Sequence, residues 1–172
     1  FLLACASIPG IYVPSLYEPS YKEDGTLAAF TPAAEGVPRK VRKELVLQMD
    51  EAPYPDKPLV PLMQVTQDRV TLEIQRGCIR GCRFCQAGQI YRPVRERSLE
   101  FLKAQAIRML ESTGCEEITL SSLSSSDYSK LKELVYFLID ETHVRHVNIS
   151  LPSLRIDAFW LDVMSKVQDI KK

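Results

Sequence analysis

From Val70 to Gln75 the chain alternates strictly, with Val70, Leu72 and Ile74 apolar and Thr71, Glu73 and Gln75 polar. That period of two predicts a strand with one buried face. Further on, Leu99, Leu102, Ala106, Ile107 and Leu110 recur at helical spacing, with Ser98 placed to cap the helix start and Gly114 to stop it. Glu117-Ile118-Thr119-Leu120-Ser121 predicts a second strand, and a second helix begins near Asp127 with Leu131, Leu134, Val135 and Leu138 on one face. His146–Leu151 predicts a third strand, after which Asp157 can cap a third helix carrying Trp160, Val163, Met164 and Val167. Strand and helix repeated three times imply an α/β unit of parallel strands joined by crossovers. In such units the functional loops lie at the C-terminal ends of the strands.

Ahead of Pro61 the pattern is irregular. Gly10–Pro14 reads as a short β-like run after a Pro-Gly turn, Glu18–Glu35 as polar loop, and Glu44–Met49 as a second extended run. Four prolines between Ala52 and Pro61 forbid helix and favour extended backbone. Residues 1–61 are therefore expected to be an N-terminal remnant with a proline-rich linker and 62–172 the regular α/β unit, although the proline run reads equally as a pinned surface loop. The chain starts at Phe1 without an initiator Met, inside what could be a last helical turn, and stops at Lys171-Lys172 after a helix-like segment. It is expected to be a piece of a longer protein. Three strands cannot close a barrel, so a half-barrel is expected, with an open third-strand edge that invites self-association.

Composition narrows the class. With 45% hydrophobic and 26% charged residues in 172, the chain suits an ordinary globular domain. Its 22 basic and 22 acidic side chains cancel, so no field of the whole chain points to nucleic acid or membrane. No apolar run nears the ~18 residues of a spanning helix, and Phe1–Ala6 lacks the basic start of a signal peptide. The five cysteines are an odd number, and three crowd too closely for a disulfide framework. A reducing, cytoplasmic setting is the expectation.

Those three cysteines carry the chemistry. In Gln75-Arg76-Gly77-Cys78-Ile79-Arg80-Gly81-Cys82-Arg83-Phe84-Cys85 they follow the alternating strand directly, on a loop that Gly77 and Gly81 make pliable. Three converging thiolates hold a soft metal centre. The run matches neither the paired CxxC ligands of structural zinc nor the ferredoxin run with a fourth Cys before Pro. Three ligands on a four-iron cluster leave one iron open, and an open position distinguishes catalytic metal sites from structural ones. Zinc on the three cysteines with an external or distant fourth ligand, in a non-catalytic structural module, is the alternative.

At these residues the sequence resembles the radical S-adenosylmethionine (SAM) superfamily, whose signature CxxxCxxC carries an aromatic residue just before its last Cys, here Phe84. The wider run Leu72–Ser98 is similar to an uncharacterised branch with a cobalamin-binding-like domain ahead of the barrel. The resemblance implies that Cys78, Cys82 and Cys85 ligate a [4Fe-4S] cluster whose fourth iron is chelated by SAM. It further implies that an electron from a flavodoxin- or ferredoxin-like donor breaks the sulfonium bond, giving a 5′-deoxyadenosyl radical that abstracts hydrogen from a substrate the sequence does not name. Cobalamin in the full-length protein is compatible with the resemblance, yet no Asp-x-His-x-x-Gly run is present.

Other positions have two readings each. Phe84 would shield the cluster or lie against adenine, or serve as an ordinary packing aromatic. Where many family members carry a Gly-Gly-Glu-like segment after the second strand, this chain has Ser121–Tyr128. Ser124, Ser125 and Ser126 are thus candidates to hold the SAM amino group, with Asp127 read as a helix N-cap. Arg155, near Ser150 and Ser153, would pair with the SAM carboxylate or make a surface salt bridge. The loop amides after Cys78 are candidates to donate to cluster sulfur, and Gln86–Gln89 to line the pocket. Arg69, Arg76, Arg80, Arg83, Arg92, Arg95 and Arg97 crowd the cysteines against Glu73 and Glu96. They fit an anionic substrate such as RNA, or compensation of a negative cluster together with salt bridges. His143 and His146 flank a helix-to-strand connection and read as surface residues, and Cys115 as buried packing.

Overall fold

The computed structural model describes residues 1–155. The helix expected from Asp157, with Trp160, Val163, Met164 and Val167, lies outside the described residues. The chain divides into two compact units, Phe1–Val46 and the remainder from Leu47.

The first unit opens with a short helix, α1 (Leu2–Ala6), and contains an antiparallel hairpin, β1 (Tyr17–Tyr21) and β2 (Leu27–Pro32), in which Tyr17 faces Pro32 and Pro19 faces Phe30. Its turn is built by Asp24, whose Oδ1 accepts from the Thr26 amide at 2.9 Å and hydroxyl at 2.6 Å. Gly25 supplies the left-handed residue, at φ 79°. This corrects the reading of Glu18–Glu35 as loop. Only Tyr17 of β1 is buried and β2 buries none of its residues fully, so the hairpin has no alternating apolar face for the sequence to show. Gly10–Pro14 and Glu44–Met49, read as extended runs, join no sheet among the described residues.

The second unit is built on a parallel sheet, β3 (Val70–Glu73), β6 (Glu117–Ser121) and β7 (Asn148–Ser150), in that spatial order. Leu72 pairs with Leu120 and Ile118 with Ile149, so the alternating residues meet across the ladder. Helix α3 (Leu99–Thr113) connects β3 to β6, and helix α4 (Leu131–Arg145) connects β6 to β7. The architecture is the α/β arrangement expected of a partial radical SAM-type β/α barrel. Ser98 Oγ accepts from the Phe101 amide at 3.1 Å and Gly114 ends α3 in the left-handed conformation. Val70, Leu72, Ile74, Leu102, Ala106, Ile118, Leu120, Leu134, Val135 and Leu138 form the core, none above 1% exposed.

The proline-rich run belongs to this unit, because the division of the chain falls before it. The Tyr54 hydroxyl donates to Thr71 O at 2.7 Å and accepts from the Glu73 amide at 2.9 Å, satisfying the outer edge of β3. Burial pushes the Tyr54 phenol pKa up, with the Glu73 amide opposing. Nearby, Gln105 donates to Pro55 O at 2.8 Å. Arg97 is fully buried between the rings of Tyr54 and Phe101, its guanidinium carbon 4.8 and 4.7 Å from their centroids, and it donates to Met49 O.

Leu120, fully buried in the central strand, is the sharpest test of this core. Leu120→Ala is expected to lower the unfolding free energy by ~2–5 kcal/mol in urea titration, as a shift of midpoint at constant slope.

Candidate functional site

After β3 the chain passes Ile74 into β4 (Gln75–Arg76), which pairs antiparallel with β5 (Arg95–Glu96), Gln75 facing Glu96 and Arg76 facing Arg95. This two-stranded clasp closes the base of the loop that holds the cysteines. Gly77 leaves the clasp at φ 87°, and a Cβ there would lie 2.6 Å from Pro93 O and 2.7 Å from Tyr91 O. No side chain fits. A short helix, α2 (Gln86–Ile90), follows the third cysteine.

Two of the three sulfurs already accept a backbone hydrogen bond. The Arg80 amide donates to Cys78 Sγ at 3.4 Å and the Gly88 amide to Cys85 Sγ at 3.4 Å, the latter because Cys85 occupies the N-cap position of α2. The Cys85 amide itself donates to Cys82 O at 3.1 Å. All three cysteines are half-buried free thiols, and Phe84 between them is 92% exposed. Among the described residues no three His, Cys, Asp or Glu side chains are gathered at metal-binding distances. The donor set nonetheless fits an iron–sulfur group: soft ligands on a pliable loop, with amide N–H groups aimed at sulfur.

The loop after β6 packs against this one. Arg80 donates through Nε to Asp127 Oδ2 at 2.9 Å and through Nη2 to Oδ1, a two-pronged pair across which the sheet's first and second functional loops meet. Ser124 Oγ also donates to Asp127 Oδ2, at 2.8 Å, and Gln75 Nε2 donates to Ser124 O at 2.7 Å. The Arg80 hydrogen bond, aided by Ser124 and by the charge of Arg155 against the cost of burial, holds the Asp127 pKa below the ordinary carboxylate range. Asp127 is therefore not the N-cap of α4, which starts later, at Leu131 after Lys130. Its carboxylate is turned to the cysteine loop instead.

The serines are placed differently from one another. Ser124 and Ser125 are buried, and the Ser125 hydroxyl meets that of Ser122 at 3.0 Å. Ser126 is half-buried and its Oγ accepts from the Arg155 amide at 2.8 Å, while the Ser125 amide donates to Ser153 O at 3.2 Å. Cys78, Cys82 and Cys85 thus lie on the loop that follows β3, Ser124, Ser126 and Asp127 on the loop that follows β6, and Arg155 beyond β7, each past the C-terminal end of a strand of the parallel sheet.

Much of the arginine crowd is engaged within the chain. Arg69 pairs with Glu117 at 2.8 Å, Arg76 with Glu73 at 2.7 Å, and Arg92 donates to Arg80 O at 2.9 Å. His143 lies in the last turn of α4 and His146 ends it at φ 56°, ahead of β7. Cys115, half-buried before β6, has its Sγ 3.7 Å from Asp68 Oδ1. The sequence reading missed the Arg80–Asp127 pair. An arginine between the first two cysteines and an acid after the next strand were its signal.

The sequence model of the radical SAM superfamily matches residues 72–171, more than half of the chain. This chain belongs to the radical SAM superfamily. It is 37% identical over 120 residues to an uncharacterised protein of Methanocaldococcus jannaschii, a match covering 64% of this chain and 26% of that protein. It is 26% identical over 126 residues to the threonylcarbamoyladenosine tRNA methylthiotransferase MtaB of Treponema pallidum, covering 69% of this chain and 25% of that enzyme. The chain spans about a quarter of the length of these curated relatives. No helix among the described residues of this radical SAM chain is long and apolar enough to cross a membrane.

Two outcomes test the site's construction. Asp127 has a depressed native pKa, so its contribution is complete above pH ~4 and is lost as the pH falls through the native value. Asp127→Asn should cost ~1–3 kcal/mol in urea titrations at pH 7, and the gap to the parent should narrow as the pH is lowered below ~4. Because Tyr91 and Pro93 must move, Gly77→Ala should destabilise the fold by more than ~1 kcal/mol, whereas a Gly→Ala change at a compatible site stabilises by up to about that much. Thermal melting compared with Gly81→Ala, where a Cβ meets nothing within 4 Å, checks this.

Proposed function

We propose that this chain is the cluster-bearing part of a radical SAM enzyme, with Cys78, Cys82 and Cys85 holding a [4Fe-4S] cluster. The observation that carries the reading is the pair of amide-to-sulfur hydrogen bonds in a three-cysteine loop at the C-terminal end of a parallel strand. When bound, the cluster and SAM would supply one-electron cleavage of the sulfonium bond and a 5′-deoxyadenosyl radical able to take hydrogen from a substrate.

The chain's own residues prepare that chemistry. The amides of Arg80 and Gly88 withdraw electron density from Cys78 and Cys85 sulfur, which favours the reduced state of a bound cluster. Gly77 and the β4–β5 clasp set where the loop leaves the sheet, and the Arg80–Asp127 pair fixes its far side. Arg155 offers a guanidinium for a carboxylate and Ser126 a hydroxyl for an ammonium, while buried Ser124 and Ser125 act by shaping the loop. Exposed Phe84 is available to cover a bound cofactor. A small redox protein of the flavodoxin or ferredoxin kind would deliver the electron. RNA is the substrate class proposed, on the strength of the tRNA enzyme among the relatives.

Anaerobic reconstitution tests this directly. About four irons and four sulfides per chain are expected, lost in Cys82→Ser, with an EPR spectrum of the reduced cluster that changes on adding SAM. Stoichiometric zinc in place of iron, or a spectrum indifferent to SAM, would favour a structural metal module.

A further inference from the structure

The first unit carries a feature that the cluster chemistry does not use. An open groove of about 650 Å³ lies beside its hairpin, its lining including the aromatic Tyr12, Tyr17 and Phe30 and the basic Arg39, Lys40 and Lys43. Tyr17 is buried and its ring lies 5.2 Å from that of Phe30 at an interplanar angle of 2°, a flat stacked pair. Tyr12 leans on both, at 5.1 and 6.3 Å. Hairpin packing accounts for the buried ring. It does not account for Tyr12 and Phe30, which remain 48% and 40% exposed over one shared floor.

Charge in this unit is segregated. Its cations are Lys22, Arg39, Lys40, Arg42 and Lys43, and its acids are Glu18, Glu23, Asp24, Glu35 and Glu44, so it is neutral in sum. Yet four of the five cations fall within residues 39–43, and Arg39, Lys40 and Lys43 are exposed where they line the groove. Glu44 is the one carboxylate on the lining, and its side chain lies against Gly10. The Tyr17 hydroxyl donates to Pro38 O at 2.7 Å, which pins the start of the basic run beside the aromatic floor.

Half-exposed aromatic rings and basic side chains lining one groove match a ligand with flat apolar groups on a polyanionic backbone. We propose that this groove binds a single-stranded segment of RNA, with a base on the faces of Tyr12 and Phe30 and adjoining phosphates on Arg39 and Lys40. Every base has a π-face and each phosphate one charge, so such a site grips without reading sequence. The inference rests on the RNA reading of the substrate only for the choice of RNA over DNA.

Fluorescence anisotropy of the full chain with a short labelled single-stranded RNA, across a salt series, tests it. Replacing Arg39 and Lys40 together by Ala should weaken binding and flatten the slope of log affinity against log salt by about 1.4, roughly 0.7 for each phosphate lost. Tyr12→Ala should weaken binding about fivefold or more and leave the slope unchanged, while Tyr12→Phe keeps parental affinity. Cys82→Ser should bind RNA as the parent does, so a failed cluster and a failed RNA site give separate results. Equal affinity of the parent and the Arg39/Lys40 variant would overturn the proposal. So would binding indifferent to Tyr12→Ala, heparin or double-stranded RNA held as tightly as the single strand, or RNA binding lost with the cysteine.

Discussion

The ion pair between Arg80 and Asp127 joins positions 47 residues apart and makes one site out of two loops. Asp127 is mostly buried and Arg80 about one-third exposed, so the pair sits at the boundary of the sheet's C-terminal end, neither in the core nor free in water. There a bidentate carboxylate–guanidinium contact is stronger than an ordinary surface pair, because its geometry is fixed and its partners are held by other bonds. Arg80 is anchored again through its own amide on Cys78 Sγ and its carbonyl under Arg92. Asp127 is anchored by Ser124, which in turn is held by Gln75. The cysteine loop is thus positioned by a chain of polar contacts running back to the strand from which it leaves.

The parts of this arrangement that were legible in the sequence are those whose cause is local. Val70, Leu72 and Ile74 announce a strand because burial falls on every second residue, and Ser98 and Gly114 bracket α3 because caps are short-range chemistry. The three cysteines carry the radical SAM resemblance through spacing alone, and the superfamily match bears that resemblance out. The hairpin in the first unit stayed hidden, since it is held by backbone pairing and an Asp-Gly-Thr turn with almost no buried face. Asp127 was misread for a related reason: an acid before a helix is ordinarily a cap, and nothing within a few residues of it shows an arginine on a loop from another strand. The aromatic groove has the same character, assembled from Tyr12, Phe30 and Arg39, which are distant in sequence.

Family membership and local physics here constrain different things. Membership in the radical SAM superfamily accounts for the parallel strand, the cysteine spacing and the loop's place at the strand end. It does not dictate a serine-rich second loop, whose hydroxyls are largely spent on the loop itself. Nor does it dictate Arg97, a fully buried cation held between two rings, which welds the proline-rich approach and α3 to the end of the sheet. A buried cation of this kind is weak evidence for stability, because the cost of taking it out of water offsets what its contacts return.

Tyr54 gives the sheet a direction. By donating to the Thr71 carbonyl and accepting from the Glu73 amide, its hydroxyl occupies two backbone groups on the outward side of β3, an edge strand of the sheet among the described residues. A strand laid on that flank would first have to displace the phenolic oxygen, so pairing is directed to the side on which β6 lies.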